Sequence, residues 1–150
     1  MANAQSILHA EGLNDDGRTA KVIVDKSFKK DEAIRKLHFE LQEKTYKTLQ
    51  LGIDKHAFLL DELVYLNHSC NPNVYFKTET MYALKDINSG EELTFFYPST
   101  EWEMREPFEC WCKSSNCVKS VQGAKFLSKD ILDKFYLSDH IKQLLNKAKQ

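Results

Sequence analysis

Apolar and polar side chains alternate along residues 37–41, Leu37-His38-Phe39-Glu40-Leu41, and again along Thr48-Leu49-Gln50-Leu51. A period of two puts one face of a strand in a core and the other in solvent. A helix over residues 31–44 is the competing reading, but its apolar positions fit the 3.6-residue period less well. The β-branched run Val22-Ile23-Val24 predicts a short buried strand over Lys21–Val24, and residues 28–34 a turn into the next strand. Residues 74–76, 81–84 and 93–96 predict three more strands, with turns at Gly52-Ile53-Asp54-Lys55 and Asn88-Ser89-Gly90. Residues 59–66 read as a short helical turn.

After Phe126 the pattern changes. Leu132, Phe135 and Tyr136, then Ile141, Leu144 and Leu145, recur at helical spacing, with Ser128 and Ser138 placed as N-caps. This predicts two short helices whose apolar faces pack on the sheet. Many short strands with few helices make a β-rich α+β fold. Residues 1–18 are polar, and Asn14-Asp15-Asp16-Gly17 reads as a turn or frayed segment.

Composition narrows the class. At 150 residues and 42% hydrophobic, the chain fits one domain with a sizeable core. The 21 basic and 22 acidic residues leave a net charge of -1, which gives no electrostatic case for direct nucleic-acid binding or an anionic membrane. No apolar run approaches the ~20 residues that a bilayer requires. The first residues lack a basic start followed by an apolar run, so the expectation is an intracellular protein, nuclear or cytoplasmic.

Candidate chemistry gathers in Leu66-Asn67-His68-Ser69-Cys70-Asn71-Pro72-Asn73, a polar stretch between the apolar flanks Val64-Tyr65 and Val74-Tyr75-Phe76. Asn71-Pro72 is a turn signal, because the proline ring pushes the preceding residue off helical geometry. Cys70 is one of four cysteines; the others form Cys110-Trp111-Cys112-Lys113-Ser114-Ser115-Asn116-Cys117. Three thiols so close can wrap one tetrahedral zinc ion, and Cys70 supplies the fourth ligand, leaving no cysteine over. Disulfides or free thiols are the alternative; the lack of a secretory signal weighs against disulfides.

Three motifs in order, Asn67-His68-Ser69-Cys70-Asn71-Pro72-Asn73, Gly90-Glu91-Glu92-Leu93-Thr94-Phe95-Phe96-Tyr97 and the Cys-X-Cys-X4-Cys run, resemble the SET domain and its post-SET extension. That family comprises protein-lysine methyltransferases using S-adenosylmethionine. The resemblance covers residues from about 21 to 127. It implies a SET-domain fold of short strands with a knot-like central loop, a zinc-tied post-SET segment and C-terminal helices. The implied boundaries are 1–18 for the N-terminal polar segment, 19–108 for the SET domain, 109–127 for the post-SET zinc segment and 128–150 for the helices.

The resemblance also implies roles. Tyr97 falls on the family's catalytic tyrosine and also faces the cofactor. Asn67 and His68 match residues contacting the adenosyl part of S-adenosylmethionine, and Phe126 lies where the family makes an apolar cofactor contact. Phe95 matches a position lining the lysine channel, with Tyr46 and Tyr65 as further channel candidates. One structural zinc on Cys70, Cys110, Cys112 and Cys117 would fix the tail over the cofactor. The implied partner is a protein or peptide lysine, such as a histone tail.

The chain departs from the family at identifiable places. The family's N-terminal Gly-X-Gly falls on Thr19, Ala20 and Lys21, where side chains restrict close approach. A basic residue usual three before the central Asn is Val64, and the glycine usual after the second post-SET cysteine is Lys113. The missing glycines motivate an alternative, a catalytically weak or inactive SET-fold binding module.

Overall fold

Short strands follow from short apolar runs, each interrupted by charged or turn-forming residues. The computed structural model describes residues 7–13 and 19–148. In chain order the strands are β1 (Leu8–Glu11), β2 (Lys21–Val24), β3 (Ala33–Lys36), β4 (Phe39–Leu41), β5 (Leu49–Gly52), β6 (Lys55–Leu59), β7 (Asn67–His68), β8 (Val74–Lys77), β9 (Thr80–Ala83), β10 (Glu92–Phe95), β11 (Phe108–Glu109) and β12 (Ser120–Val121). Two helices close the chain, α1 (Lys129–Leu132) and α2 (Asp139–Ala148). A 3₁₀ turn over Glu62–Tyr65 is capped by the Asp61 side chain, which accepts from the Leu63 N–H.

The strands make four small sheets, ordered β1-β2-β10-β7, β3-β9-β8, β4-β6-β5 and β11-β12. β10 is the hinge of the arrangement. It pairs antiparallel with β2, where Leu93 lies opposite Val22, and parallel with β7, where Thr94 lies opposite Asn67 and Phe95 opposite His68. The polar stretch 66–73 is thus stitched to the strand that ends at Tyr97. The Ser69 N–H donates to the Phe95 carbonyl and the Asn73 N–H to the Thr94 carbonyl. A central core joins Leu8, Val22, Val24, Phe28, Leu63, Met81, Ile87 and Leu93.

The β-rich expectation is met, and several local readings need correction. Leu8–Glu11, within the stretch read as polar, forms β1 because His9 and Glu11 face outward while Leu8 is buried against Val24. Asn14-Asp15-Asp16-Gly17 lies outside the described residues. Leu41, read as inward-facing, is 59% exposed, since β4 pairs only with β6 at the sheet edge. Thr48 and Gln50, read as outward-facing, are buried instead. The segment after Tyr97 covers that face, and the Trp102 N–H donates to the Gln50 side-chain oxygen.

The strand Lys55–Leu59 was not anticipated. Of the two C-terminal helices, α1 is a single turn. Its N-cap Ser128 accepts from the Ile131 N–H as expected. The chain then turns so that Phe135 stacks on Phe96 with ring centroids 3.6 Å apart, and the Ser138 N–H donates to the Ser99 carbonyl. Phe135 therefore packs on the core from a turn, not from a helix face.

Candidate active site and metal centre

A cavity of about 680 Å³ opens between β5, the Glu62–Tyr65 turn and the end of β10. Its wall carries Tyr46, Tyr65, Phe95 and Tyr97, together with Asn67, Ala20 and Glu101. Phe95 is buried, edge-on to Phe76, with its ring centroid 4.6 Å from that of Tyr97. Tyr46 is 62% exposed and stands where the cavity meets solvent. The sequence-predicted channel residues and the predicted catalytic tyrosine therefore come together in one wall.

Tyr97 is held from two sides. Its hydroxyl donates to the Leu66 carbonyl at 2.6 Å, so the oxygen presents only lone pairs to its surroundings. Burial first, and the negative charges of Glu101 and Glu92 after it, push its ionisation far above the ordinary phenol range. The hydroxyl stays protonated at any physiological pH. Its backbone N–H donates to His68 Nδ1 at 3.1 Å.

That bond fixes the histidine. Nδ1 accepts, so the ring proton sits on Nε2, which points at Cys70 Sγ 3.4 Å away. Burial lowers the His68 pKa to about 4, so the ring is neutral. Its ring packs among Phe96, Tyr97 and Phe108. His68 is a strut between the cysteines and the Tyr97 backbone, and it is not part of the cavity wall. The Asn67 amide reaches across β10, donating to the Ala20 carbonyl and to Glu92 Oε2, each at 2.9 Å. Phe126, half exposed, also lies outside the cavity wall, with Lys125 over its ring.

The four cysteine sulfurs all lie within 4.8 Å of one another. Zinc–sulfur bonds of about 2.3 Å put tetrahedral ligands roughly 3.8 Å apart, so the donor set fits a zinc ion. All four cysteines are free. The chemistry of the set points the same way. Burial raises the pKa of Cys70 and Cys110 and so disfavours their thiolates, while the Cys112 pKa, although burial opposes it, is lowered by hydrogen bonds centred on Ser114. Four thiols packed so closely cannot ionise together without a cation to offset them. One backbone and one side-chain donor support the cluster: the Val118 N–H donates to Cys70 Sγ, and the Asn116 side-chain Nδ2 to the Cys70 carbonyl. Trp111, between two of the cysteines, is 80% exposed.

Sequence reasoning missed Glu101. It is 8% exposed, and its Oε2 accepts from the Gln50 N–H at 2.8 Å and from Thr100 Oγ1 at 2.7 Å. Burial raises its pKa to about 7, against the lowering effect of those two bonds and of Lys44. The only hint in the sequence is an acid set between Thr100 and Trp102 a turn after Tyr97.

The profile of the SET domain matches residues 10–98. Methyltransferase flvH of Aspergillus flavus is 40% identical over 107 residues, which cover 69% of this chain and 60% of that protein. A histone-lysine N-methyltransferase of Emericella nidulans, specific for lysine-4 of histone H3, is 29% identical over 107 residues, covering 57% of this chain but 9% of that protein. The chain thus spans 60% of the first of these relatives and a small part of the second. Among solved structures, KRYPTONITE in complex with mCHG DNA and SAH superposes with a TM-score of 0.55 at 14% identity, over 69% of this chain and 27% of that one. The parallel β7–β10 pair, the stretch 66–73 stitched to it and the profile match agree, and the chain belongs to the SET domain family.

Proposed function

We propose that the chain transfers methyl groups from S-adenosylmethionine to the side-chain amine of a protein lysine, with a histone tail as the first substrate class to test. The observation that carries this reading is the Tyr97 oxygen. Its proton is committed to Leu66, so it offers lone pairs in an aromatic-walled cavity. An acceptor there aligns an amine N–H without competing for the nitrogen lone pair that must attack. The apolar wall around Phe95 and Tyr65 disfavours an ammonium and keeps water out. S-adenosylmethionine would supply an electrophilic methyl on a sulfonium.

In this reading Tyr97 is catalytic and Phe95 and Tyr46 line the substrate channel. Asn67, His68, Tyr97 and Phe126 serve the cofactor. Asn67 positions the Ala20 carbonyl beside it, while His68 acts by holding the Tyr97 backbone. Cys70, Cys110, Cys112 and Cys117 hold one structural zinc that ties segment 109–127 to SET domain 19–108, with 128–150 packed outside. Histone relatives favour a nuclear site of action. Among the described residues no helix is long and apolar enough to cross a membrane.

Calorimetry of S-adenosylmethionine with zinc-loaded protein, followed by mass spectrometry of core histones after incubation, tests the reading. Tyr97→Phe should bind cofactor nearly as the parent does and lose most transfer, roughly 100-fold. Equal turnover by the variant would remove Tyr97 from its role. A second reading, a SET-fold binding module, rests on Thr19 and Lys21, which stand at the two glycine positions of the family's Gly-X-Gly on either side of Ala20 in the cavity wall. Absence of cofactor binding by the parent protein would favour it.

A further inference from the structure

The cavity needs a group to take a proton. A lysine enters as an ammonium of pKa ~10.4 and attacks only as the neutral amine. Tyr97 cannot accept that proton, because its hydroxyl is already protonated and its hydrogen points to Leu66. His68 is not in the wall. Glu106 is exposed at the cavity's edge. Glu101 remains, a carboxyl in the wall, buried, with both its hydrogen bonds on Oε2 and Oε1 left for a ligand. Among the described residues no cation forms an ion pair with it.

We propose that Glu101 receives the substrate ammonium and takes its proton. The proposal rests on the methyltransferase reading above and adds the proton acceptor to it. The step balances: R–NH3+ and the Glu101 carboxylate become R–NH2 and the carboxylic acid. The amine lone pair then forms the N–C bond to the sulfonium methyl, and the C–S electrons return to sulfur as a neutral thioether. The product leaves as a methylammonium, and Glu101 releases its proton to solvent through the cavity mouth.

Burial makes the transfer feasible. It raises the Glu101 pKa to about 7 and lowers that of an entering ammonium, so the two approach each other. In a dry cavity two neutral partners are favoured over an ion pair relative to water. The Gln50 N–H and Thr100 Oγ1 keep the carboxyl from rising further, so a substantial fraction is ionised near neutral pH. The other titratable and charged groups around it are Tyr97 from its own segment, Lys44, Tyr46 and Lys47 from the connection before β5, Tyr65 from the 3₁₀ turn, Arg105 and Glu106, and His140 from α2, which is bound to the neighbouring Thr100 carbonyl. None of the cationic ones is paired with it.

The experiment uses the full zinc-loaded chain, labelled with carbon-13 at the glutamate carboxyl, and n-butylammonium as the amine probe. The Glu101 signal, assigned by its absence in Glu101→Gln, should titrate near pH 7, and the probe should move the midpoint lower. Thr100→Val should raise the midpoint by roughly half to one pH unit, since it removes a donor to the ionised form. On core histones, Glu101→Gln should lower turnover roughly 100-fold or more and remove the bend near neutral pH, with cofactor binding retained. A midpoint in the ordinary carboxylate range, no response to the amine, or turnover of the variant within about threefold of the parent overturns the proposal. Where core histones are not turned over, the amine titration decides alone. Failure of the parent to bind S-adenosylmethionine overturns the methyltransferase reading instead, a result distinct from any of these.

Discussion

Glu101→Gln should stabilise the fold, and do so only towards neutral and alkaline pH. The carboxyl is held in place by the Gln50 N–H and Thr100 Oγ1, but burial outweighs both and moves its pKa from 4.5 to about 7. Between those values the unfolded chain has released this proton and the folded chain still holds it. Proton uptake is then greater in the native state, so stability falls as pH rises across the interval and stays level above it. At about 1.4 kcal/mol per pH unit, the fall amounts to about 3 kcal/mol, a large part of the 5–15 kcal/mol typical of a domain.

Glutamine keeps the shape and an oxygen to accept both hydrogen bonds, and it does not titrate. Urea unfolding of parent and variant, with zinc saturating, should therefore diverge with pH. The variant's advantage should grow by about 2.5 kcal/mol between pH 5 and pH 8, read from midpoints at equal m-value. Effects of pH on the cysteine cluster are common to both proteins and cancel in the difference. A constant difference at every pH, or one that shrinks as pH rises, would refute the electrostatic reasoning.

Other expectations follow from single positions. Gly123 has φ +120°, and a Cβ there would sit 2.4 Å from the Trp102 carbonyl oxygen. Gly123→Ala should break the neighbouring bonds from the Ala124 N–H to Glu101 O and from the Lys125 N–H to Trp102 O, costing about 3 kcal/mol and roughly 6–12 °C of melting temperature. A melting curve superimposable on the parent's would contradict it. Lys113 adopts φ +63° with an exposed side chain, so Lys113→Gly should stabilise the cysteine segment by about 1 kcal/mol, seen as slower zinc release to a chelator. Phe95→Tyr adds a hydroxyl to the channel and should shift mass-spectrometric product ratios toward fewer methyls by about fivefold, the worth of one neutral hydrogen bond.

Much of this was legible from local pattern. Val22-Ile23-Val24 needed no partner to announce a buried strand, and Cys70 with the Cys110–Cys117 run announced a cluster because thiols at that spacing have few other uses. The failures share a cause. Thr48 and Gln50 alternate with leucines as solvent-facing residues do, yet the segment after Tyr97 covers them, about fifty residues on. Leu41 alternates as a core residue does and is exposed because its strand lies at an edge. Period two reports which side chains share a face, and only the topology decides what covers it. Lys113 is a subtler case. Its place in the Cys-X-Cys-X4-Cys run marked a glycine position, and the backbone keeps the left-handed conformation that glycine would favour.

Glu101 was invisible for the same reason, and its cost explains why it matters. Its setting is built from β5 through Gln50, from its neighbour Thr100, and from α2, where His140 Nε2 donates to the Thr100 carbonyl at 2.7 Å. No window of sequence contains those partners together. A carboxyl so enclosed lowers stability at neutral pH relative to an uncharged isostere, and a structural role would be served as well by glutamine, which accepts the same two bonds. What glutamine cannot do is change its proton. A buried acid that destabilises the fold and lines the cavity beside Tyr97 is therefore better explained by its titration than by its packing.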